Sequence, residues 1–269
     1  MEAFILNAIT GLPDVGFNSG TLVAGTNIEG IDTFNYNSPE PQKITHYGED
    51  YAFAQDSLPP TEVGSFTVTT AKTNLSLDTF FDGTNLVTLD TTVKARLGNS
   101  NKRGNEPQTL SNVYRQALDT QNGSATFGKL RQWHAAMVPS ARFVTNLQSM
   151  EQTKTTKTYN GIPTPVNQTP WGSAFDETTW GATRGEYIEL TFDYKPSIAC
   201  GLGNGTLATF ALPKAPIDVA HTHVWVDGTL ATVSSVNTSL TNPSVTIASA
   251  TGSGNKLVFA IVETNQVGG

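Results

Sequence analysis

The sequence predicts a mainly β protein, on three observations. Thr is the commonest residue while charged residues make up only 14 %, and a β-branched side chain that is stiff at χ1 suits a pleated, half-exposed strand better than a helix. The 24 Gly and 14 Pro fall in short groups that punctuate the chain at turn spacing. Apolar residues recur with a period of two in several short runs. At 269 residues the chain has room for one large domain or two smaller ones.

From the N-terminus, residues 4–10 form an apolar run that ends at the turn signal Gly11-Leu12-Pro13-Asp14. Residues 15–42 are polar, rich in Gly and Asn, and closed by Pro39-Glu40-Pro41, so an extended arm without packing of its own is expected. Ile44, His46 and Gly48 alternate with Thr45 and Tyr47, as in a short strand. Gly64–Ala71 places Phe66, Val68 and Thr70 on one face of a strand, and Leu75, Leu77 and Thr79 continue the pattern. Phe80-Phe81-Asp82-Gly83-Thr84-Asn85 reads as a turn, with a strand expected over Leu86–Val93.

Residues 98–107 hold Lys102 and Arg103 and no apolar side chain but Pro107, so they read as a basic loop. One flanking α-helix is expected next. Leu110, Val113, Tyr114, Ala117 and Leu118 follow at helical spacing, Asn105 or Thr109 can cap them, and Asn122-Gly123 can stop them. Residues 124–137 match helix and strand equally, and Pro139 is expected to end either. Strands are expected over Ala141–Met150 and, most clearly, Tyr187–Tyr194, where apolar and polar residues alternate. Cys200-Gly201-Leu202-Gly203-Asn204-Gly205 reads as a linker. Beyond it, strand candidates recur about every ten residues, at Thr206–Leu212, His223–Val226, Leu230–Val236, Ser244–Ala248 and Lys256–Glu263, with Asp227-Gly228 as a tight hairpin turn. The expected division is therefore a β domain over residues 1–200, carrying the arm and a basic loop at about 94–108, and a small all-β, Ig-like module over 206–269.

The net charge of −7 is unevenly spread. Residues 1–90 carry twelve acids against Lys43 and Lys72, a net of −10. Residues 91–131 carry seven bases against Glu106 and Asp119, a net of +5, and the remainder carries −2. An acidic body with one basic segment complements a second copy of itself. On that basis Lys94, Arg96, Lys102 and Arg103, with Glu49, Asp50 and Asp56, are the candidate subunit-interface residues. The basic segment lacks interleaved aromatics and the whole chain is acidic, which argues against tight phosphate binding.

The single cysteine, Cys200, allows no intrachain disulfide. Met1–Asn7 lacks a basic n-region and no run approaches the ~18 apolar residues of a membrane span, so neither a signal peptide nor a membrane partner is expected, and folding in a reducing cytoplasm is. No nucleophile-elbow or Walker pattern occurs. Gly201-Leu202-Gly203 opens like a dinucleotide fingerprint but no helix is expected after it, and Trp133-His134 reads as a structural pair. His221 and His223, two apart, would face one side of a strand, but no third ligand completes a metal site. The paired carboxylates Glu49-Asp50 and Asp176-Glu177 point to opposite faces of a strand, and Glu186/Glu189 stands alone, so a glycosidase pair would need help from a distant strand. No enzyme activity, cofactor or metal is expected.

In the order of its features the chain resembles phage major tail proteins, the subunits of tail tubes. The segments that carry the resemblance are Pro41–Asp50 with the strands of Gly64–Leu77, then Phe80-Phe81-Asp82-Gly83, Trp133–Arg142, and Pro170-Trp171-Gly172 leading to Glu186–Tyr194. Val224-Trp225-Val226-Asp227-Gly228 through Gly252–Phe259 looks like the small β-modules appended to phage virion proteins. The resemblance implies a β-sandwich or barrel core with a flanking helix and a location in the virion tail after assembly in the host cytoplasm. Subunits would form homo-hexameric rings that stack into a tube, contacting other tail proteins while phage DNA passes through the lumen without specific binding. It transfers no site residue. Two other readings stay open: another virion component, such as a capsid decoration, collar or baseplate protein, and a carbohydrate-binding adhesin in which Trp225 and Tyr194 stack on a sugar.

Overall fold

The computed structural model describes residues 1–7, 13–15, 20–48, 51–58, 64–71, 80–81, 87–88, 94–95, 108–118, 122–123, 128, 130–150, 155–163, 188–252 and 256–265. The protein is mainly β, with five antiparallel sheets and almost no helix among these residues. It divides into two compact units. The first gathers Met1–Glu29, Pro107–Ala141 and Val166–Gly269; the second holds Gly30–Glu106 and Arg142–Pro165.

In chain order the strands before the middle of the molecule are β1 (Glu2–Ile5), β2 (Val23–Ala24), β3 (Thr26–Asn27), β4 (Ile31–Asn37), β5 (Gln42–Gly48), β6 (Tyr51–Leu58), β7 (Ser65–Thr70), β8 (Val87–Thr88), β9 (Lys94–Ala95) and β10 (Gln108–Leu118). They are followed by β11 (Leu130–Met150), β12 (Thr155–Pro163), β13 (Ile188–Phe192), β14 (Lys195–Gly203) and β15 (Thr209–Ala211). The last five are β16 (Thr222–Val226), β17 (Thr229–Ala231), β18 (Val233–Asn237), β19 (Ser244–Ile247) and β20 (Lys256–Thr264).

The first unit is built in three layers. Its middle sheet runs β17-β16-β20-β14-β2. The long central strands alternate apolar residues to both sides, as a sheet covered on both faces requires. Ile198, Cys200, Leu257, Phe259 and Ile261 face one core, which they share with Phe4 of β1, Leu6 just beyond it, Leu110 of β10, and Ala135, Met137, Ile188 and Phe192 of β11 and β13. Ala199, Val258, Ala260, Val262 and Val224 face a second core, closed by Phe210, Val245 and Ile247 from the sheet β15-β19-β18 and by Leu22.

The second unit pairs β12 with β7 and β7 with β4. β7 shows the expected alternation, with Phe66, Val68 and Thr70 buried and Ser65, Thr67 and Thr69 half-exposed. Its core is aromatic: Phe81 lies 4.7 Å from Phe143 and 4.9 Å from Tyr159, and Phe34 and Tyr36 cover Phe66 at 5.4 and 5.0 Å between ring centres. Gly161 makes room for this packing, since a Cβ there would sit 2.5 Å from the Phe143 ring.

Four sequence expectations are corrected. Residues 108–118 form a strand and not the flanking helix. β10 lies beside β1, with Glu2 opposite Asn112 and Phe4 opposite Leu110, and Thr109 through Val113 are all buried. A segment covered on both faces has no periodicity that tells strand from helix, and pairing with β1 overrides the apparent stripe. Pro139 does not end its element, because β11 runs on through it to Met150. It lies just past Met137, where the ladder with β13 stops and a missing N–H costs least. The polar arm is packed after all: Leu22 and Ile28 are buried, and β2 and β3 edge two sheets.

The fourth correction concerns the division of the chain. The expected linker at residues 200–205 is largely strand, since Cys200 to Gly203 belong to β14 and pair with Phe259 to Lys256. Its glycines serve close approach. A Cβ on Gly201 would lie 2.6 Å from the Thr21 carbonyl oxygen, and one on Gly203 would lie 2.6 Å from the Thr251 side chain. The strands past residue 205 form where expected, except that Leu230–Val236 is two strands, β17 and β18, in different sheets. They share both cores with the N-terminal strands and do not stand as a separate module.

Candidate functional site

Asp56 is the candidate interface residue whose side chain the structure places. It lies on β6, 2.8 Å from the His46 imidazole across the β5–β6 hairpin. Lys94 belongs to the backbone of β9, opposite Thr88. Arg96, Lys102, Arg103, Glu49 and Asp50 lie outside the described residues, as does the basic loop between 96 and 107. The juxtaposition of acidic and basic segments is therefore an expectation that Asp56 alone enters.

In the hairpin that holds Asp56, residues 43, 44, 46 and 55–58 are exposed. β5 and β6 pair only with each other among the described residues. The register puts Ile44 opposite Asp56 and Gln42 opposite Leu58, so Ile44, His46, Asp56 and Leu58 share one face. Ile44 and Leu58 are each 42 % exposed. On the other face Lys43, Gln55 and Ser57 are exposed as well. A two-stranded hairpin is marginal by itself.

In the first unit, polar side chains gather where the turn between β13 and β14 meets the turn before β16. The Gln132 side-chain amide donates to Asp193 Oδ1 at 2.6 Å. Asp218 Oδ1 accepts from the backbone N–H of His221 at 3.0 Å and lies 2.7 Å from Nδ1 of the same residue. The other ring nitrogen, Nε2, is 3.9 Å from Asp193 Oδ2. Tyr194 stands edge-on to the imidazole at 5.2 Å, and its backbone N–H donates to Glu263 Oε2. The hydrogen bond to Asp218 raises the His221 pKa above its ordinary value, with burial working against it and Glu263 and Asp193 adding to it. The same bond holds Asp218 below the usual carboxylate range.

The sequence reading placed His221 and His223 on one strand face, with no third ligand to complete a metal site. The strand begins only at Thr222, so His221 turns to Asp218 while His223 lies beside Trp225, 6.2 Å between ring centres. Among the described residues no group of three His, Cys, Asp or Glu is placed to hold a metal ion. Cys200 is buried, and burial pushes its thiol well above the ordinary value, away from nucleophilic use. Of the proposed carboxylate pairs, Glu189 is an exposed residue of β13, and Glu186, Asp176, Glu177, Glu49 and Asp50 lie outside the described residues. A groove of about 340 Å³ between β17 and residues 247–251 is lined by Leu230, Ile247, Thr229, Thr251 and small residues, with no titratable side chain. Trp225 is half-buried and packs on Phe259 at 5.6 Å at the edge of the first core, whereas Tyr194 is 40 % exposed.

Sequence reasoning missed Glu2. This carboxylate is 1 % exposed and takes hydrogen bonds from Ser197 Oγ at 3.0 Å and the Ile198 N–H at 2.8 Å, with Lys214 Nζ at 2.5 Å. The available signal was parity, since Glu2 falls on the same strand face as Phe4 and Leu6. No protein-family model matches the chain, and no curated protein matches it.

Proposed function

We propose that this chain is a structural protein that assembles with copies of itself. The observation that carries the reading is the β5–β6 hairpin, which presents Ile44 and Leu58 beside the His46–Asp56 pair and has no third strand among the described residues. Two exposed aliphatic side chains, on a two-stranded hairpin with no third strand among the described residues, are stabilised by contact with another chain. A heterologous contact of this kind repeats, and it closes into a ring when its rotation divides the circle.

Within that class the reading is a phage tail-tube subunit. Its support is the mainly β architecture together with the resemblance of the Pro41–Asp50, Gly64–Leu77 and Trp133–Arg142 segments. Stacked, hexameric rings would form the tube, and a net charge of −7 would let DNA slide through without adhesion. The subunit would need no catalytic chemistry.

Negative-stain electron microscopy of the purified protein tests this. Rings or tubes are expected at low salt, thinning out as ionic strength rises. An Ile44→Asp, Leu58→Lys double variant is expected to remain monomeric while keeping the wild-type circular dichroism spectrum. Persistent wild-type monomer at high concentration would refute self-assembly. Rings without tubes, or labelling of the capsid or baseplate in virions, would move the protein to another virion component.

A further inference from the structure

We propose that His221 is a proton-operated clasp between two turns, closed when its ring carries two protons and open when it carries one. The geometry is one imidazole between two fixed carboxylates. Asp218 faces Nδ1 at 2.7 Å and Asp193 faces Nε2 at 3.9 Å, an ion-pair distance and not a direct hydrogen bond. Each carboxylate has a second partner. Asp218 is pinned by the His221 N–H, and its backbone carbonyl accepts from Thr222 Oγ at 2.8 Å. Asp193 is held through its other oxygen by Gln132.

A neutral imidazole has a single N–H. It can serve Asp218 and then turns a lone pair toward the Asp193 carboxylate, which repels it. The imidazolium donates on both sides and attracts both carboxylates. The surrounding charges favour the proton. Glu263, on β20, donates its backbone N–H to the His221 carbonyl and adds a negative charge nearby. Tyr194 contributes only its ring edge, and Lys195 turns away, its Nζ lying 5.9 Å from the centres of the Tyr114 and Trp133 rings.

Loss of the second proton removes the attraction between Asp193 in the β13–β14 turn and the turn before β16, and leaves the Tyr194 N–H bond to Glu263 as the remaining polar tie of residues 193–194. The exposed Tyr194 ring leans on the same imidazole. The clasp makes presentation of this aromatic on the surface depend on the protonation of His221, independently of what the protein assembles into.

The test is nuclear magnetic resonance of the intact chain across pH 5 to 9, following the His221 ring and the hydrogen exchange of the Tyr194 amide. In the wild type, His221 is expected to titrate above ~6.5, and Tyr194 protection is expected to fall several-fold at the same midpoint. Asp193→Asn should lower the His221 midpoint and make Tyr194 protection independent of pH. Added salt should lower the wild-type midpoint as it screens these exposed pairs. An unchanged midpoint in Asp193→Asn would overturn the proposal, as would wild-type Tyr194 protection that ignores the titration. His221→Gln, which keeps a donor but cannot titrate, should show flat protection, and a persisting pH-dependent step in it would also count against the clasp.

Discussion

Single residues carry the sharpest consequences where a charge or a missing Cβ sits inside the packing. Glu2 is a carboxylate in a protein core, made tolerable by three donors. Glu2→Ala strands the buried Ile198 N–H and Ser197 hydroxyl and unpairs the partly exposed Lys214 ammonium, and we expect it to cost about 3 kcal/mol in chemical denaturation. Asn112, its cross-strand neighbour, is buried with neither amide atom bonded among the described residues, so replacing it with Leu should cost far less than its burial suggests. Gly201→Ala drives a methyl into the Thr21 carbonyl and is expected to destabilise by about 1–3 kcal/mol in the same measurement. The His221–Asp218 pair sets a pH window. The raised His221 pKa contributes stability that is complete below ~6.5 and lost as pH rises through the raised value. The lowered Asp218 pKa contributes stability present above ~3.9 and lost as pH falls through the lowered value. Thermal melts of the wild type against His221→Gln should therefore differ most between those limits and converge outside them, by an amount kept small by the exposure of both side chains.

At the scale of elements, β10 and the β5–β6 hairpin make opposite points. β10 had the residues of an amphipathic helix, yet its neighbours on both sides are strands and its central residues are all buried, so pairing decided its state. Peptide 108–122 by itself should show no stable strand signal by circular dichroism, because what holds it extended belongs to β1 and β11. The hairpin was legible as a strand from Ile44-Thr45-His46-Tyr47, but its exposure was not. Period two says which residues share a face and nothing about whether that face meets a core. The Asp227-Gly228 turn was legible in full. Both residues have positive φ, 46° and 79°, as a two-residue hairpin between β16 and β17 requires. Asp227 does more than turn the chain, for its carboxylate also receives the Leu257 N–H and pairs with Lys256.

For the whole molecule, the question is how the C-terminal strands belong to the rest. β20 lies between β14 and β16 in the middle sheet and sends alternate side chains into both cores of the first unit. A fragment of residues 206–269 is therefore expected to be unfolded, and a chain ending at residue 205 to be insoluble or to lack cooperative thermal unfolding; a folded, soluble 206–269 fragment would contradict this arrangement. The sequence by itself determined the β class, the strand at Ser65–Thr70, the regular C-terminal strands and the hairpin turn, because alternation, β-branched composition and turn chemistry are local properties of the chain. Tertiary structure alone decided that 108–118 is extended, that Gly201 and Gly203 are contact points and no hinge, that Glu2 is buried, and that Asp193, Asp218 and His221 meet. Each of these depends on which distant segment lies across the sheet or above it, and spacing along the chain does not encode that neighbour.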